Sequence, residues 1–321
     1  MRRCYILIVN YKRWEEALEC VRSVFTSSYP DFKVILTDNH SGNRSLENIV
    51  QDLKDQPVRI AASAGTVKPL LLHHLEFSST PPATLPELTL VQNDTNAGFA
   101  AGNNIAIRAV QKEDAWVWLL NPDMTVDRDT LTQMIRCAQT ADNAIVGAVH
   151  RSFYDHEKVI MYGGARVNYW AGNNSLTKKP KDIPRTGFIS GGSLLTDAST
   201  YRATGLLPEE YFLYWEETDW CYRAKEKGFP IVVCLDATCY DKRSTTIGTG
   251  FLADYLYTRN GLLFLKRYKK GYLPVAFLMI SLRIAKKLVL GQGGRAKGVL
   301  RGAMDFLTGG RYENKIGRAH V

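Results

Sequence analysis

The 321-residue chain lacks any apolar stretch near the roughly 20 residues that a membrane-crossing helix needs. It has no internal repeat and no low-complexity segment, which excludes a fibrous or repeat protein. Its six cysteines (Cys4, Cys20, Cys137, Cys221, Cys234 and Cys239) form no CxxC pair, and most sit inside apolar runs. They read as buried free thiols of a reducing compartment. No Gly-rich phosphate loop follows the first apolar run, where Asn10-Tyr11-Lys12-Arg13-Trp14 stands instead. No nucleic-acid reader motif accompanies the basic charge, so nucleic acid is not an expected partner. What is present is ordinary for a globular protein: 45% hydrophobic and 23% charged residues, enough for one large domain or two modest ones.

The net charge of +9 is unevenly placed. From Phe251 to Tyr312, twelve Lys and Arg residues stand against Asp254 and Asp305 alone, so the rest of the chain is near neutral. The same segment carries apolar runs at Leu262–Leu265, Leu273–Leu282 and Leu288–Leu290. Such a pattern suits helices lying in the headgroup plane of an anionic membrane, each cation there worth about 1 kcal/mol. It also suits a helical cap with cations on its solvent face. Met1-Arg2-Arg3 followed by Cys4–Val9 superficially resembles a signal peptide, but the run is short and passes straight into charge. It reads as a first buried strand. Ile316–Val321 is what one frame of a common sequencing adaptor would encode, so residues 316–321 are expected to be read-through.

Continuous apolar runs at Tyr5–Val9, Phe32–Thr37, Leu88–Val91 and Ala115–Leu120 predict strands buried on both faces. Between them, Trp14–Phe25, Ser45–Leu53 and Ala101–Val110 predict helices. Alternating strands and helices imply an α/β domain with a mostly parallel sheet. Residues 57–86 break the rhythm and read as an insertion or long loop. Further on, the pattern predicts a helix from about Asp127 to Ala138 and strands at Ala144–Val149, Val159–Tyr169, Thr186–Leu195 and Ile231–Leu235. Asp197 is placed to cap a short helix ending at Gly205, and Glu217–Lys227 a helix stopped by Gly228.

Ligands of open parallel sheets bind beyond the carboxyl ends of the strands. Four polar clusters fall there: Asn10-Tyr11, Asp38-Asn39-His40-Ser41, Asn93 to Asn104, and Asn121-Pro122-Asp123. A carboxylate at the lip of a buried strand, such as Asp123, can hold a hard divalent cation, although the tripeptide also suits a plain turn. A fifth cluster, Glu216-Glu217-Thr218-Asp219, opens a helix amid aromatics. Two positions along a helix differ by about 200°, so Glu217 and Asp219 point opposite ways. One can support the fold while the other faces a crevice. A carboxylate beside aromatic surface has a raised proton affinity, which suits a general base.

These clusters, with Asn96-Ala97-Gly98-Phe99-Ala100-Ala101-Gly102-Asn103-Asn104 and Ser190-Gly191-Gly192-Ser193, occur in an order that closely resembles family 2 glycosyltransferases of the GT-A fold, especially the rhamnosyltransferase-like branch of polysaccharide synthesis. The resemblance covers roughly residues 4–260. It implies a GT-A α/β domain over residues 1–250 and a basic amphipathic helical region over 251–315. It also implies inverting, metal-assisted transfer from a nucleotide-diphospho-sugar to a hydroxyl of a glycan or lipid-linked acceptor. Asn10, Tyr11 and Asp38 match positions that hold base and ribose. Asn96, Gly98 and Asn104 match the loop and helix over the nucleotide.

Asn121 and Asp123 stand at the Asp-X-Asp-type motif, with Asp123 the implied ligand of Mg2+ or Mn2+. Glu217 takes the place of the usual base, one methylene longer than the family's Asp, and Asp219 is the second candidate. Where the family often has a metal-completing His, this chain has Asp241, which either completes the site as another oxygen ligand or leaves it weakened, with Lys242 and Arg243 then helping to neutralise the departing diphosphate. The resemblance further implies a peripheral place on the cytoplasmic face of the inner membrane. Because Asn121, Glu217 and Asp241 each depart from the family pattern, an inactive sugar-nucleotide or membrane-surface binding protein stays open as the alternative.

Overall fold

The computed structural model describes residues 2–55, 59–61, 67–69, 72–75, 87–141, 143–242 and 249–310. Most of the expected insertion at 57–86, together with Arg243, Ser244 and residues 316–321, lies outside them.

The chain begins β1 (Arg3–Asn10), α1 (Trp14–Val24), β2 (Phe32–Asp38), α2 (Ser45–Asp55) and the short strands β3 (Arg59–Ala61), β4 (Val67–Pro69) and β5 (Leu72–Leu75). Next come β6 (Leu88–Gln92), α3 (Phe99–Val110), β7 (Ala115–Leu120), β8 (Met124–Val126), α4 (Thr130–Gln139) and β9 (Ile145–Ser152). β10 (Asp155–Tyr162), β11 (Gly164–Asn168), β12 (Asn173–Leu176), β13 (Phe188–Ile189) and β14 (Ser193–Asp197) follow. The last elements are α5 (Ala198–Thr204), α6 (Glu216–Glu226), β15 (Ile231–Asp241), α7 (Phe251–Tyr268), α8 (Leu273–Val289) and α9 (Gly293–Thr308).

The main sheet has the order β5-β6-β2-β1-β7-β14-β9-β15-β8, with β10 added to β9. From β5 to β7 every pairing is parallel. β1 is the switch point: the chain leaves it for β2 and β6, then returns to pair β7 on its other side. Asn10, Asp38 and Gln92 stand level at the carboxyl edge, since Asn10 pairs with Asp38 and Asp38 with Gln92. The other half is mixed. β14 is antiparallel to both β7 and β9, while β15 is parallel to β9. The expected mostly parallel sheet therefore holds for one half only, because β14 enters as a return strand between β7 and β9.

Alternation sorts the β1 side chains onto two cores. Cys4, Ile6 and Ile8 join α1, α2 and α4 on one face; Tyr5 and Leu7 join α3, α5 and α6 on the other. Burial on both faces is why the strand reads as an unbroken apolar run. The short helix α5 ends as expected, with Asp197 accepting from the Ser199 N–H at 2.7 Å and Gly205 at φ +85°.

Two expectations need correction. The run from Val159 to Tyr169 is two strands in different sheets, β10 and β11, parted at Gly163, which has φ +70°. Gly164 begins β11 against β13, and a Cβ there would lie 2.0 Å from the Phe188 carbonyl oxygen. The second correction concerns the thiols. Cys137 of α4 and Cys234 of β15 are joined in a disulfide, with Cα atoms 5.9 Å apart, while Cys4, Cys20, Cys221 and Cys239 are free and buried. A pairing across 97 residues has no local sequence signal.

The C-terminal helices are not a loose tail. α9 lies tightly on α7 because Gly298 and Gly302 offer no side chain; a Cβ would stand 2.3 Å from the Phe251 carbonyl oxygen and 2.5 Å from that of Tyr255. Leu262, Leu265, Ala276, Ile280, Val299 and Ala303 form a core of their own among the three helices. Several of the expected free cations are committed here: Lys287 and Arg295 pair with Asp254 at 3.1 and 2.7 Å, and Arg301 with Asp305 at 2.9 Å.

Candidate active site

The carboxyl edge of β1, β2 and β6 is built from a buried polar lattice. Asp38 is 2% exposed and its carboxylate accepts from Asn10 Nδ2 (2.7 Å), the Ser41 N–H (3.0 Å) and Gln92 Nε2 (3.0 Å). Asn10 Oδ1 in turn accepts from the Arg13 N–H at 3.1 Å, and Ser41 Oγ from the Lys12 N–H at 2.7 Å. One layer up, Asn39 Nδ2 donates to Asn96 Oδ1 (2.9 Å) and to the Gly98 carbonyl (3.0 Å), tying the β2 loop to the loop before α3. With its partners satisfied, this lattice is rigid at little cost.

Above it opens a cleft of about 550 Å3. Tyr11, Asn96, Gly98, Asn121 and Asp123 line it, so five of the expected residues meet on one surface. Lys12, Asn39 and Phe99 line it too, as do Phe212–Tyr214 and Gly250–Ala253. The chain turns sharply at Lys12, which has φ +64°, and its Nζ stands 5.2 Å from the Tyr11 ring centre. Sequence reasoning passed over Lys12, although a cation directly after the β1 cluster was the available signal.

The aromatic wall is strained. Phe212, Tyr214 and Trp215 have φ of +64°, +67° and +82°, a region that bulky side chains rarely occupy. Asn260 of α7 holds it: one Nδ2 donates to the carbonyls of Tyr211 (2.8 Å), Leu213 (2.8 Å) and Tyr214 (3.1 Å). Gly98 closes the other side, since the Phe99 N–H donates to the Phe212 carbonyl at 2.8 Å and a Gly98 Cβ would lie 2.1 Å from that oxygen. The boundary expected at 250/251 thus runs through the site. Asn260→Ala strips the wall of its donor and leaves buried carbonyls unpaired, at about 1–3 kcal/mol for such a loss. We expect urea unfolding to show a fall in that range, with weaker donor binding beside it.

The acidic cluster at the start of α6 separates by face. Asp219 is fully buried, and its oxygens accept from Tyr211 OH (2.9 Å), Arg223 Nε (2.9 Å) and Arg267 (2.7 Å). The second candidate base is thus placed between two guanidiniums, where it braces α6 against α7. Glu217 points the other way, toward Gly191, whose own Cβ position lies 3.6 Å from the Glu217 Cβ and 3.2 Å from the Phe99 ring. The neighbouring Gly192 carbonyl accepts from the Asn121 N–H at 3.0 Å, so the Gly191-Gly192 pair bridges Glu217 to the β7 lip. Burial pushes the Glu217 carboxyl above the ordinary carboxylate range, partly opposed by backbone N–H donors including that of Gly191.

Glu217 is not among the residues that line the cleft, and other expected residues lie off it too. Asn10 and Asp38 sit beneath it, in the lattice. Asn104 is absent from the lining as well: its amide clamps Leu207 by both backbone groups (2.9 and 3.0 Å) and Glu209 (2.8 Å). Asp241 pairs with Met124 across β15 and β8, and the Lys242 N–H donates to the Asp123 carbonyl at 3.1 Å, so Asp241 borders the Asp123 lip. Lys242 itself is committed to Glu19 and lies 4.5 Å from the Phe153 ring centre.

A crevice at a parallel-strand switch point, with an amide–carboxylate pair on its lip and a helix-borne carboxylate across a glycine pair, places the molecule in the GT-A fold class. Known proteins bear out the fold. The mannosyltransferase PcManGT from Pyrobaculum calidifontis, in complex with GDP-Man and Mn2+, superposes with TM-score 0.58 at 13% identity, covering 95% of this chain and 87% of that one. S. aureus TarS 1-349 in complex with UDP-GlcNAc superposes with TM-score 0.53 at 13% identity, covering 97% and 93%. Residues 5–65 match "Glycosyl transferase family 2" and residues 79–255, more than half the chain, match "Glycosyltransferase like family 2". The chain belongs to glycosyltransferase family 2. A curated relative, the low-salt glycan biosynthesis hexosyltransferase Agl10 of Haloferax volcanii, is 22% identical over 154 residues, which are 46% of this chain and 50% of that protein. The chain spans about half the length of the curated relative it matches.

Proposed function

We propose that the protein is an inverting glycosyltransferase that moves a sugar from a nucleotide-diphospho-sugar to a hydroxyl of a glycan or lipid-linked acceptor in cell-surface polysaccharide synthesis. The observation that carries this reading is the Gly191-Gly192 bridge between Glu217 and the Asn121–Asp123 lip. The residues suit a divalent cation. Asn121 Oδ1 is buried without a hydrogen-bond partner and stands beside Asp123 on the cleft. A spare oxygen next to a carboxylate is what a hard cation takes, with the rest of its shell from phosphate. Among the described residues no group of three or more His, Cys, Asp or Glu is placed to hold a metal, so the protein share is small. When bound, Mg2+ or Mn2+ supplies stabilisation for charge gathering on the departing diphosphate. Asp241, at the border of the lip, is the proposed further ligand.

The chain's own residues do the rest. The Asn39–Asn96–Gly98 layer and Tyr11 hold the nucleoside end, positioned by Asn10 and Asp38 below. Lys12 adds a positive charge at the cleft. Glu217 takes the proton of the acceptor hydroxyl as its oxygen attacks the anomeric carbon opposite the diphosphate, which inverts that centre. The test is nucleoside diphosphate release from a panel of sugar donors, with and without Mn2+ and with membrane extract as acceptor source. Deoxythymidine-diphospho-rhamnose stands first in the panel. Metal-dependent release from one donor is expected; donor binding without release from any would leave the inactive binding protein.

We also propose that the protein binds an anionic membrane surface, the cytoplasmic face being the expectation that the Cys137–Cys234 disulfide opposes. No helix among the described residues is long and apolar enough to cross a membrane. α8 and α9 instead expose Leu282 (55%), Val289 (86%) and Leu307 (67%) alongside exposed Lys286 and Lys297. That mix suits interfacial binding. Removing the helices is a poor test, because α7 braces the site. The pair Leu282→Glu with Val289→Glu is the better one. It is expected to cut sedimentation with phosphatidylglycerol vesicles at least tenfold while leaving the melting temperature within a few degrees; undiminished sedimentation refutes the membrane placement.

A further inference from the structure

A second pocket, of about 490 Å3, lies between α6 and the small sheet of β11 and β13. It shares no lining residue with the donor cleft. Arg166, Arg185 and Lys225 line it, against the single carboxylate of Glu226. All three cations are exposed, and none has a side-chain hydrogen bond or ion pair with another described residue. Three unpaired cations around one hollow repel each other and give it a positive potential. The floor adds a second sign. Thr218 lines the pocket, is 1% exposed, and its hydroxyl has no hydrogen-bond partner. Buried hydroxyls are ordinarily satisfied, so Thr218 offers the pocket a spare donor and acceptor.

The walls carry aromatic surface as well. Tyr169 and Tyr222 line the pocket, and Lys269 stands over both, its Nζ 5.6 and 5.9 Å from their ring centres. Tyrosine faces suit sugar rings; guanidiniums and an ammonium suit phosphate. Position completes the picture. Thr218, Tyr222 and Lys225 follow one face of α6, and Glu217 precedes Thr218 by one residue, about 100° around the helix. A molecule anchored on this face thus lies one helix face from the group that deprotonates an acceptor.

We propose that this pocket binds a phosphate group of a phosphorylated glycan acceptor, separately from the donor. The identity of the molecule as acceptor rests on the glycosyltransferase reading above; the anion site itself does not. Inorganic pyrophosphate is therefore the probe, titrated calorimetrically into the full chain in EDTA, so that no turnover and no metal is involved. Wild-type protein is expected to bind it, Arg166→Gln with Arg185→Gln to weaken that binding at least tenfold, and Lys12→Gln, in the other cleft, to leave a site of wild-type affinity. Both arginines are exposed, so the double variant should fold, which its melting curve checks. Equal affinity in wild type and double variant, or loss on Lys12→Gln alone, overturns the proposal. A parallel titration with dimethyl phosphate separates the two sources of the group. Tighter pyrophosphate indicates a diphosphate end of a carrier-linked glycan, and equal or tighter dimethyl phosphate a diester within the glycan. If pyrophosphate binds as expected while no sugar donor is ever turned over, the anion site stands and the glycosyltransferase reading falls.

Discussion

Asp123→Ala is expected to abolish the metal-dependent part of nucleoside diphosphate release, a loss of roughly 100-fold or more. At 1.36 kcal/mol per tenfold, that is about 3 kcal/mol of the barrier, in the range of one lost electrostatic contact to a developing anion. Asp123 is in place for this because β7 is buried along its whole length and ends at the cleft, so the next three residues turn at the lip. The side chain adds nothing to the hydrophobic core, so the variant should keep its fold. Donor release measured with and without Mn2+ checks it. A variant whose Mn2+ response equals that of the wild type moves the cation elsewhere.

Glu217→Gln is the second large effect, expected to cost about 100-fold to 10,000-fold in transfer, the span for a positioned general base. Donor binding should persist, because the amide keeps the shape and the cleft lining is untouched. The pH dependence carries a sign. The base works only when ionised, and burial holds the Glu217 carboxyl above the usual 4.5. Transfer should therefore rise with pH along an acid limb displaced upward from that value, and the residual rate of the variant should lack this limb. Glu216 broadens the limb, because like charges drive the two ionisations apart: it is 2% exposed, and burial with the nearby Glu217 charge pushes its carboxyl well above the ordinary range. The two therefore ionise as a pair, the second proton leaving at a higher pH than either would alone. Rates across pH for wild type and variant, with donor affinity by calorimetry, decide this. Full transfer by Glu217→Gln would move the base to Asp219, which Arg223 and Arg267 hold, or to another group.

Much of the molecule was legible locally. Strands such as β1 and β7 declare themselves because burial on both faces demands unbroken apolar residues. The capping Asp197 and the stops at Gly205 and Gly228 are short-range chemistry, visible in a few residues. The four polar clusters were legible as one site because parallel strands present their carboxyl ends together, and the structure does set Tyr11, Asn96, Gly98, Asn121 and Asp123 around one cleft. Less was readable between 153 and 195, where Gly163 and Gly164 send one apparent strand into two sheets. That path depends on how closely Phe188 approaches, a fact no neighbour in sequence records.

Composition and order alone were enough to establish the α/β rhythm and the order of the site motifs, since each follows from contacts a few residues apart. Packing decided the rest. Glu217 and Asp219 are carboxylates of one helix turn, yet α7 brings Arg267 to one of them and leaves the other against Gly191. Asn260 likewise acquires its purpose only where α7 crosses the strained 212–215 wall. A side chain's chemistry is its own, but the charge and solvent it meets arrive from distant parts of the chain.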